Sequence, residues 1–380
     1  MPMKLTYRGG LSAGVQAALC IWLAVAAAPV ARAQTDSTAV AEEEEDYSMY
    51  DDVVFADAGA KVFCSPKIFD LSPQRFISLG WDMQLPYDMT ISPIGEHAAG
   101  SEVPVAERGR AVYTGGFRLG ANIPVVSRNS IVWQMGANFW DVQYQIEDIE
   151  ETQEAAGVLR RLDERGLRTA GLNTTLFKPL DDKNFLLFQA SADLNGDFPL
   201  PQFQSLRYLR YSVAALWGQR PNDRKMWGVG VARTYRVGEM NYIPIVLFNY
   251  TAPSRKWGTE ILFPARAHVR RNFSARSMLL AGYELEGQSY RLATLSDAER
   301  SLEIRRGELR ARLEYQRQLA GFVWVSAQAG WRYNWSFDAD YLPDDGREFF
   351  RGFFGDQPFA MLNDLGNPLY FNVGVHLVSP

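Results

Sequence analysis

Leu309-Arg310-Ala311-Arg312-Leu313-Glu314-Tyr315-Gln316 is the stretch on which the fold turns. Side chains alternate sides along an extended chain. Leu309, Ala311, Leu313 and Tyr315 therefore share one face, and Arg310, Arg312, Glu314 and Gln316 share the other. The same period of two recurs in segment after segment from Arg75 onward. A two-faced β-surface behind a secretory leader predicts an antiparallel barrel with lipid outside and polar groups inside.

The leader reads clearly. Lys4 and Arg8 give a positive start, an apolar stretch runs from Ala17 to Val30, and Ala31-Arg32-Ala33 before Gln34 has the form of a cleavage site. Residues 1–33 are thus expected to be a signal peptide. Cys20 follows Leu19, where lipoprotein signals need a small residue, so it is expected to leave with the leader. Cys64 then remains as the single cysteine, and an intramolecular disulfide is excluded.

Mean hydropathy is -0.20. After the leader, no segment approaches the roughly 18 apolar residues of a membrane helix. A barrel escapes that test, because half of every strand is polar. Aromatic residues make up 13% of the chain, which suits interfacial girdles. A net charge of -5 argues against nucleic acid as a partner. His97, His268 and His376 are scattered, and no His or Cys spacing resembles a metal site, so neither metal nor cofactor is expected.

Residues 34–52 are acidic, with Glu42-Glu43-Glu44-Glu45-Asp46 followed by Asp51-Asp52, and read as a solvated tail. Residues 53–74 carry apolar pairs between turn residues and form a lead-in that packs at the rim or in the lumen. Thirteen strand-like stretches follow, near 75–84, 111–123, 130–146, 167–177, 184–194, 207–217, 226–236, 242–251, 257–270, 277–290, 303–316, 320–335 and 368–378. Turn chemistry separates them, as in Asp181-Asp182-Lys183-Asn184 and Pro221-Asn222-Asp223. One barrel domain over 75–380 is expected. Residues 150–166 predict a short amphipathic loop helix closed by Gly166, whereas 297–316 read as strand despite a capping-box start at Ser296.

Barrels of this kind alternate short turns with long loops. Counted from either terminus the alternation holds, but the two counts clash when joined, so either one assignment between about 218 and 270 is wrong or the first strand lies outside the barrel. Single-chain bacterial barrels favour even strand numbers. The expectation is twelve strands, with fourteen as the alternative.

In 320–335, Val323, Val325, Ala327, Ala329, Trp331, Tyr333 and Trp335 share a face, aliphatic first and aromatic last. That is the order a strand meets on leaving hydrocarbon for headgroups. The opposite faces assign the lumen to Arg118, Arg210, Glu260, Arg266, His268, Glu284, Glu286, Arg310, Arg312, Glu314 and Arg332, together with Asp193, Arg270, His376 and several amides. Glu284 and Glu286 precede Arg310 and Arg312 by one strand, so cross-strand pairing is available. Such a mixed wall is expected mainly to brace the interior. Catalysis is not expected: His268 and His376 lack a Gly-flanked serine elbow, and alternation by itself sets no serine beside either.

With leader, strands and aromatic rims in place, the chain resembles the uncharacterised outer-membrane β-barrel families of Gram-negative bacteria. The likeness is strongest over Tyr208–Gly218, Trp227–Val231, Tyr242–Tyr250 and Trp257–Pro264. It implies a place in the outer membrane, with membrane lipid and the barrel assembly machinery as partners, and no particular activity. The ending Leu377-Val378-Ser379-Pro380 departs from the usual terminal aromatic, leaving Tyr370 and Phe371 to serve in assembly. Three functions are open on these residues: a passive pore or transporter for small solutes, a closed structural or binding barrel presenting its loops, and, third, a lipid-modifying enzyme.

Overall fold

The computed structural model describes residues 63–93, 106–150, 157–199, 208–235, 241–292, 302–341 and 360–378. The leader, the acidic run, the lead-in as far as residue 62 and the phenylalanines at 349–359 lie outside the described residues.

Alternation sets the strands and also turns them inside out relative to a soluble protein. In β13 (Leu302–Ala320), Leu313 and Tyr315 are 56% and 39% exposed, while Glu314 and Gln316 between them are 3% and 4% exposed. β14 (Val323–Ser336) and β17 (Leu369–Val378) likewise present Trp331, Tyr333, Trp335, Leu369, Phe371 and Val375 outward. The remaining long strands are β1 (Arg75–Gln84), β3 (Glu107–Arg128), β4 (Ile131–Glu150), β5 (Leu167–Pro179), β6 (Asn184–Gly196) and β7 (Leu209–Asn222). β8 (Lys225–Thr234), β9 (Asn241–Thr251), β10 (Trp257–Phe263), β11 (Arg266–Ser274) and β12 (Ser277–Leu292) complete them. β1 pairs with β3 on one side and β17 on the other, and β17 pairs with β14. Every neighbour is antiparallel, so fourteen strands close into a ring. β2 (Tyr87–Ile91), β15 (Ala339–Tyr341) and β16 (Asp364–Leu365) are short additions at one end.

The strand number is fourteen, the alternative expected from the sequence, rather than twelve. Residues 257–270, read as one strand, double back at Pro264-Ala265 into β10 and β11, with Leu262 opposite Arg266. This two-residue connection sits at the end that otherwise carries long loops, which is why the loop-length counts clashed there. The first strand belongs to the ring. The loop helix is α1 (Val158–Arg165), closed by Gly166 at φ 64°; residues 302–316 are strand.

Short hairpins gather at one end of the barrel, the turn end, with Arg75 and Val378 beside them. The other, the loop end, is uneven. β3, β4 and β13 run 22, 20 and 19 residues, but β10 and β11 only 7 and 9. A tilted strand crosses a bilayer in about 9–11 residues. The tall strands are therefore longer than such a crossing needs, and two of the long strands lean together. β12 meets β6 in a parallel bridge, Arg291 opposite Gly196, passing over the low arc of β7 to β11. Beneath the loops, α1 seats Val158, Leu159 and Leu162 against Val142, Tyr144, Ile146, Tyr290 and Ile304. The loop end is thus filled by an apolar core, whereas alternation had predicted a polar interior throughout.

Residues 63–74 enter the turn end of the lumen. The Cys64 amide donates to the Asp181 carbonyl at 2.9 Å and the Phe69 amide to that of Asp223 at 2.8 Å. Cys64 and Ile68 pack on Phe177, Phe185, Leu216 and Met226.

Candidate functional site: the barrel lumen

Seven charged side chains from β1, β3, β12, β13 and β14 share one wall of the lumen. Arg118 donates to Asp82 Oδ2 at 3.1 Å and lies 3.1 Å from Glu286 Oε1, with its guanidinium 3.7 Å from the centre of the Trp140 ring. Arg310 holds Glu286 Oε2 and Glu308 Oε1, both at 2.5 Å. Glu308 Oε2 also accepts from Arg306 at 2.8 Å and from Arg332 at 3.0 Å, and Arg332 reaches Asp82 Oδ2 at 2.7 Å. The inward face of alternating strands brings these groups to one level, and their opposite signs let them share a space that water hardly enters. Asp82, Glu308, Arg310 and Arg332 are each at most 5% exposed in their side chains. Removing one member would strand the others, at a cost of about 3–5 kcal/mol. The arrangement is a brace.

A second group lies lower, where Arg312 bonds Glu284 at 2.5 Å and Glu314 at 3.2 Å, and Arg75 bonds Glu314 at 2.5 Å. A third joins Arg270 to Glu260, with Thr251 accepting from Arg270 at 2.9 Å. Glu260 also accepts from the Ser72 amide and hydroxyl, each at 2.9 Å, so it ties the entering segment to the wall. Arg210 meets Glu303 at 3.0 Å beneath the β6–β12 bridge.

The facing wall is different. β6 to β10 turn Leu187, Leu216, Ala232, Ile243, Ile245 and Leu262 inward, interleaved with Gln189, Ser191 and Ser212. Between the walls lies a cavity of about 580 Å³, bounded by these residues and by Arg118, Arg266, Glu284 and Glu286. A smaller cavity of about 260 Å³ adjoins it toward the turn end, with Pro66, Lys67 and Gln74 of the entering segment in its lining.

Arg118, Arg210, Glu260, Arg266, His268, Glu284, Glu286, Arg310, Arg312, Glu314 and Arg332 all stand on inward registers. The structure divides them. Arg118, Glu286, Arg310 and Arg332 share the main brace, Glu284, Arg312 and Glu314 the second, and Glu260 and Arg210 sit apart. Arg266 lines the larger cavity, is exposed, and has no carboxylate within 4.0 Å among the described residues. His268 is buried beside the second group. Sequence reasoning missed Asp82, Arg306 and Glu308. Their parity along β1 and β13 could have found them, since each falls on the face that carries Arg310.

One contact is supplied by strand pairing, which alternation along a single strand does not give. Ser326 Oγ lies 2.7 Å from His376 Nε2, because β14 and β17 are direct neighbours. Both residues are buried, at 6% and 5% exposure, and Nδ1 of His376 has no partner among the described residues. The pair therefore lacks the orienting group and the access that a serine nucleophile needs.

Fold and lumen together define a closed fourteen-stranded antiparallel β-barrel with an apolar outer surface and an ion-paired inner wall. The chain belongs to the family described as "Domain of unknown function (DUF6268)", whose model matches residues 122–378. No curated protein matches it. Among solved structures it is similar to an outer-membrane channel from Pseudomonas putida F1, at 10% identity over 82% of this chain and 98% of that one, with a TM-score of 0.28. The Pseudomonas putida toluene transporter TodX is similar at 8% identity over 80% and 90%, TM-score 0.27. The outer-membrane protease OmpT of Escherichia coli is similar at 8% identity over 81% and 99%, TM-score 0.25.

Proposed function

We propose that this chain is an integral outer-membrane barrel that lets small solutes through a narrow lumen. The observation that carries the reading is the cavity of about 580 Å³ between a braced charged wall and the uncharged stretch of β6 to β10 that faces it. A barrel needing only mechanical integrity would gain by filling that space with side chains. Residues 63–74 at the turn end and the β6–β12 bridge at the loop end narrow the route at both mouths. The conductance expected is accordingly small, unlike that of a wide water-filled porin. Lipid covers the outer face, and assembly machinery reads the last strand through Phe371, since Tyr370 turns inward to accept from Gln328 at 2.7 Å. The reading is non-enzymatic, in keeping with the buried, incomplete Ser326–His376 pair.

Purified protein in planar bilayers tests this reading. Small discrete current steps are expected; a fully inserted but silent protein removes the pathway. Silence would favour the second reading, a closed barrel that presents its loops to a partner. The filled loop end favours that alternative. Loop deletions that abolish partner capture while leaving the barrel folded would then establish it.

A further inference from the structure

We infer that the turn end of the barrel binds the headgroups of anionic phospholipids. The inference rests on the membrane-embedded reading above and adds a lipid class to it. Lys178, Lys225, Arg271 and Arg317 stand near the turn end on the outward register, opposite Leu186, Tyr250, Trp257 and Val325. Three of these partners, Leu186, Tyr250 and Trp257, are 44%, 37% and 49% exposed, so the cations project from the face that lipid covers. Arg271 lies 4.6 Å from the Trp257 ring centre and Lys225 lies 5.9 Å from that of Phe248. Phe273 and Phe322 are exposed at the same level. Aromatic rings of this kind mark the headgroup depth, so the four charges sit where phosphates run.

Among the described residues no acid pairs with them. None of the four has a carboxylate within 4.0 Å among the described residues, and Lys178 spends one proton on the Ser130 carbonyl at 3.1 Å. Three acids at this end are engaged elsewhere, and Asp182, on the β5–β6 turn, has no cation within 4.0 Å among the described residues. Asp70 holds Arg255 at 2.6 Å, Asp223 holds Arg220, and Asp181 accepts from the amides of its own turn. The loop end shows the contrast, for there Arg108 and Arg110 of β3 face Glu150 and Glu147 of β4 across the ladder. Cations left unpaired in an interfacial belt are placed for lipid phosphates, and an anionic lipid adds net charge to that attraction.

The test uses the full barrel reconstituted in phosphatidylcholine with trace spin-labelled phosphatidylglycerol or phosphatidylcholine. The motionally restricted fraction gives the relative association of each lipid with the protein surface. Phosphatidylglycerol is expected to associate about threefold more strongly at low salt, falling toward parity at 0.5 M salt as the charges are screened. A Lys178→Gln, Lys225→Gln, Arg271→Gln, Arg317→Gln variant is expected to lose the preference while keeping heat-modifiable gel migration. Equal association in the unaltered protein, or an unchanged preference in that variant, overturns the inference alone. No restricted component with either lipid overturns the membrane reading along with it.

Discussion

Arg332 on β14 reaches past β17 to Asp82 on β1, Nη2 to Oδ2 at 2.7 Å. The first strand, β1, pairs with the last, β17, so this ion pair clasps the seam of the ring from inside. Backbone bonds alone would leave the seam no stronger than any other strand pair. Arg332→Leu leaves Asp82 and Glu308 buried with one cation fewer, and is expected to destabilise the barrel by about 3–5 kcal/mol. Urea unfolding followed by tryptophan fluorescence in vesicles measures it. Removing Asp82 as well, as Asn, should recover part of the loss; strictly additive losses would mean the two do not act together.

Arg266 stands on the cavity wall across the ladder from Glu284, with no carboxylate within 4.0 Å among the described residues. If solutes pass that wall, Arg266→Glu should move the channel toward cations, changing the permeability ratio by about threefold. Reversal potentials in a salt gradient provide the reading. An unchanged potential would put the path elsewhere.

The entering segment narrows the turn end and is held there by backbone bonds at Cys64 and Phe69 and by Ser72 on Glu260. Deleting residues 63–72 is expected to raise single-channel conductance at least about twofold by opening the lumen that fourteen strands enclose. Conductance that stays the same would show that the narrow point lies at the loop end.

Burial pushes the Cys64 thiol above its ordinary pKa, more than the nearby Arg220 guanidinium lowers it. The neutral thiol therefore persists to higher pH than in an unfolded chain, where more thiolate forms. Alkylation at pH 8 is expected to run at least about tenfold slower in the folded barrel than in urea. Equal rates would mean that the segment does not occupy the lumen.

Ser326→Ala removes the donor or acceptor facing His376 Nε2. A loss of about 1–3 kcal/mol is expected from the ring nitrogen left unsatisfied. The lipid composition of the membrane should not change. A change in lysophospholipid content on substitution would assign the pair a chemical role.

The closed barrel and the orientation of its faces were legible because a period of two survives any error in strand boundaries. Leu309 to Gln316 sufficed for that. Strand number was less legible. The β10–β11 hairpin turns on Pro264-Ala265 between stretches that alternate in one continuous pattern, so only the loop-length clash betrayed it. Parity gave the inward residues strand by strand, but not their groupings. Glu284 lies opposite Arg310 in register yet bonds Arg312, because long side chains reach diagonally. Asp82 and Arg332 are joined across an intervening strand, and Ser326 meets His376 through strands 50 residues apart in sequence. Contacts of that range depend on ring closure, which no local pattern encodes.

Cysteines placed one at a time from Phe371 to Val375, in a Cys64→Ser background, carry an environment-sensitive fluorophore into the last strand of the vesicle-inserted protein. Labels at Phe371, Val373 and Val375 should be quenched from the lipid phase, and those at Asn372 and Gly374 should not, giving a period of two. Uniform quenching by aqueous reagents at all five positions would contradict a barrel whose oily face is covered by lipid.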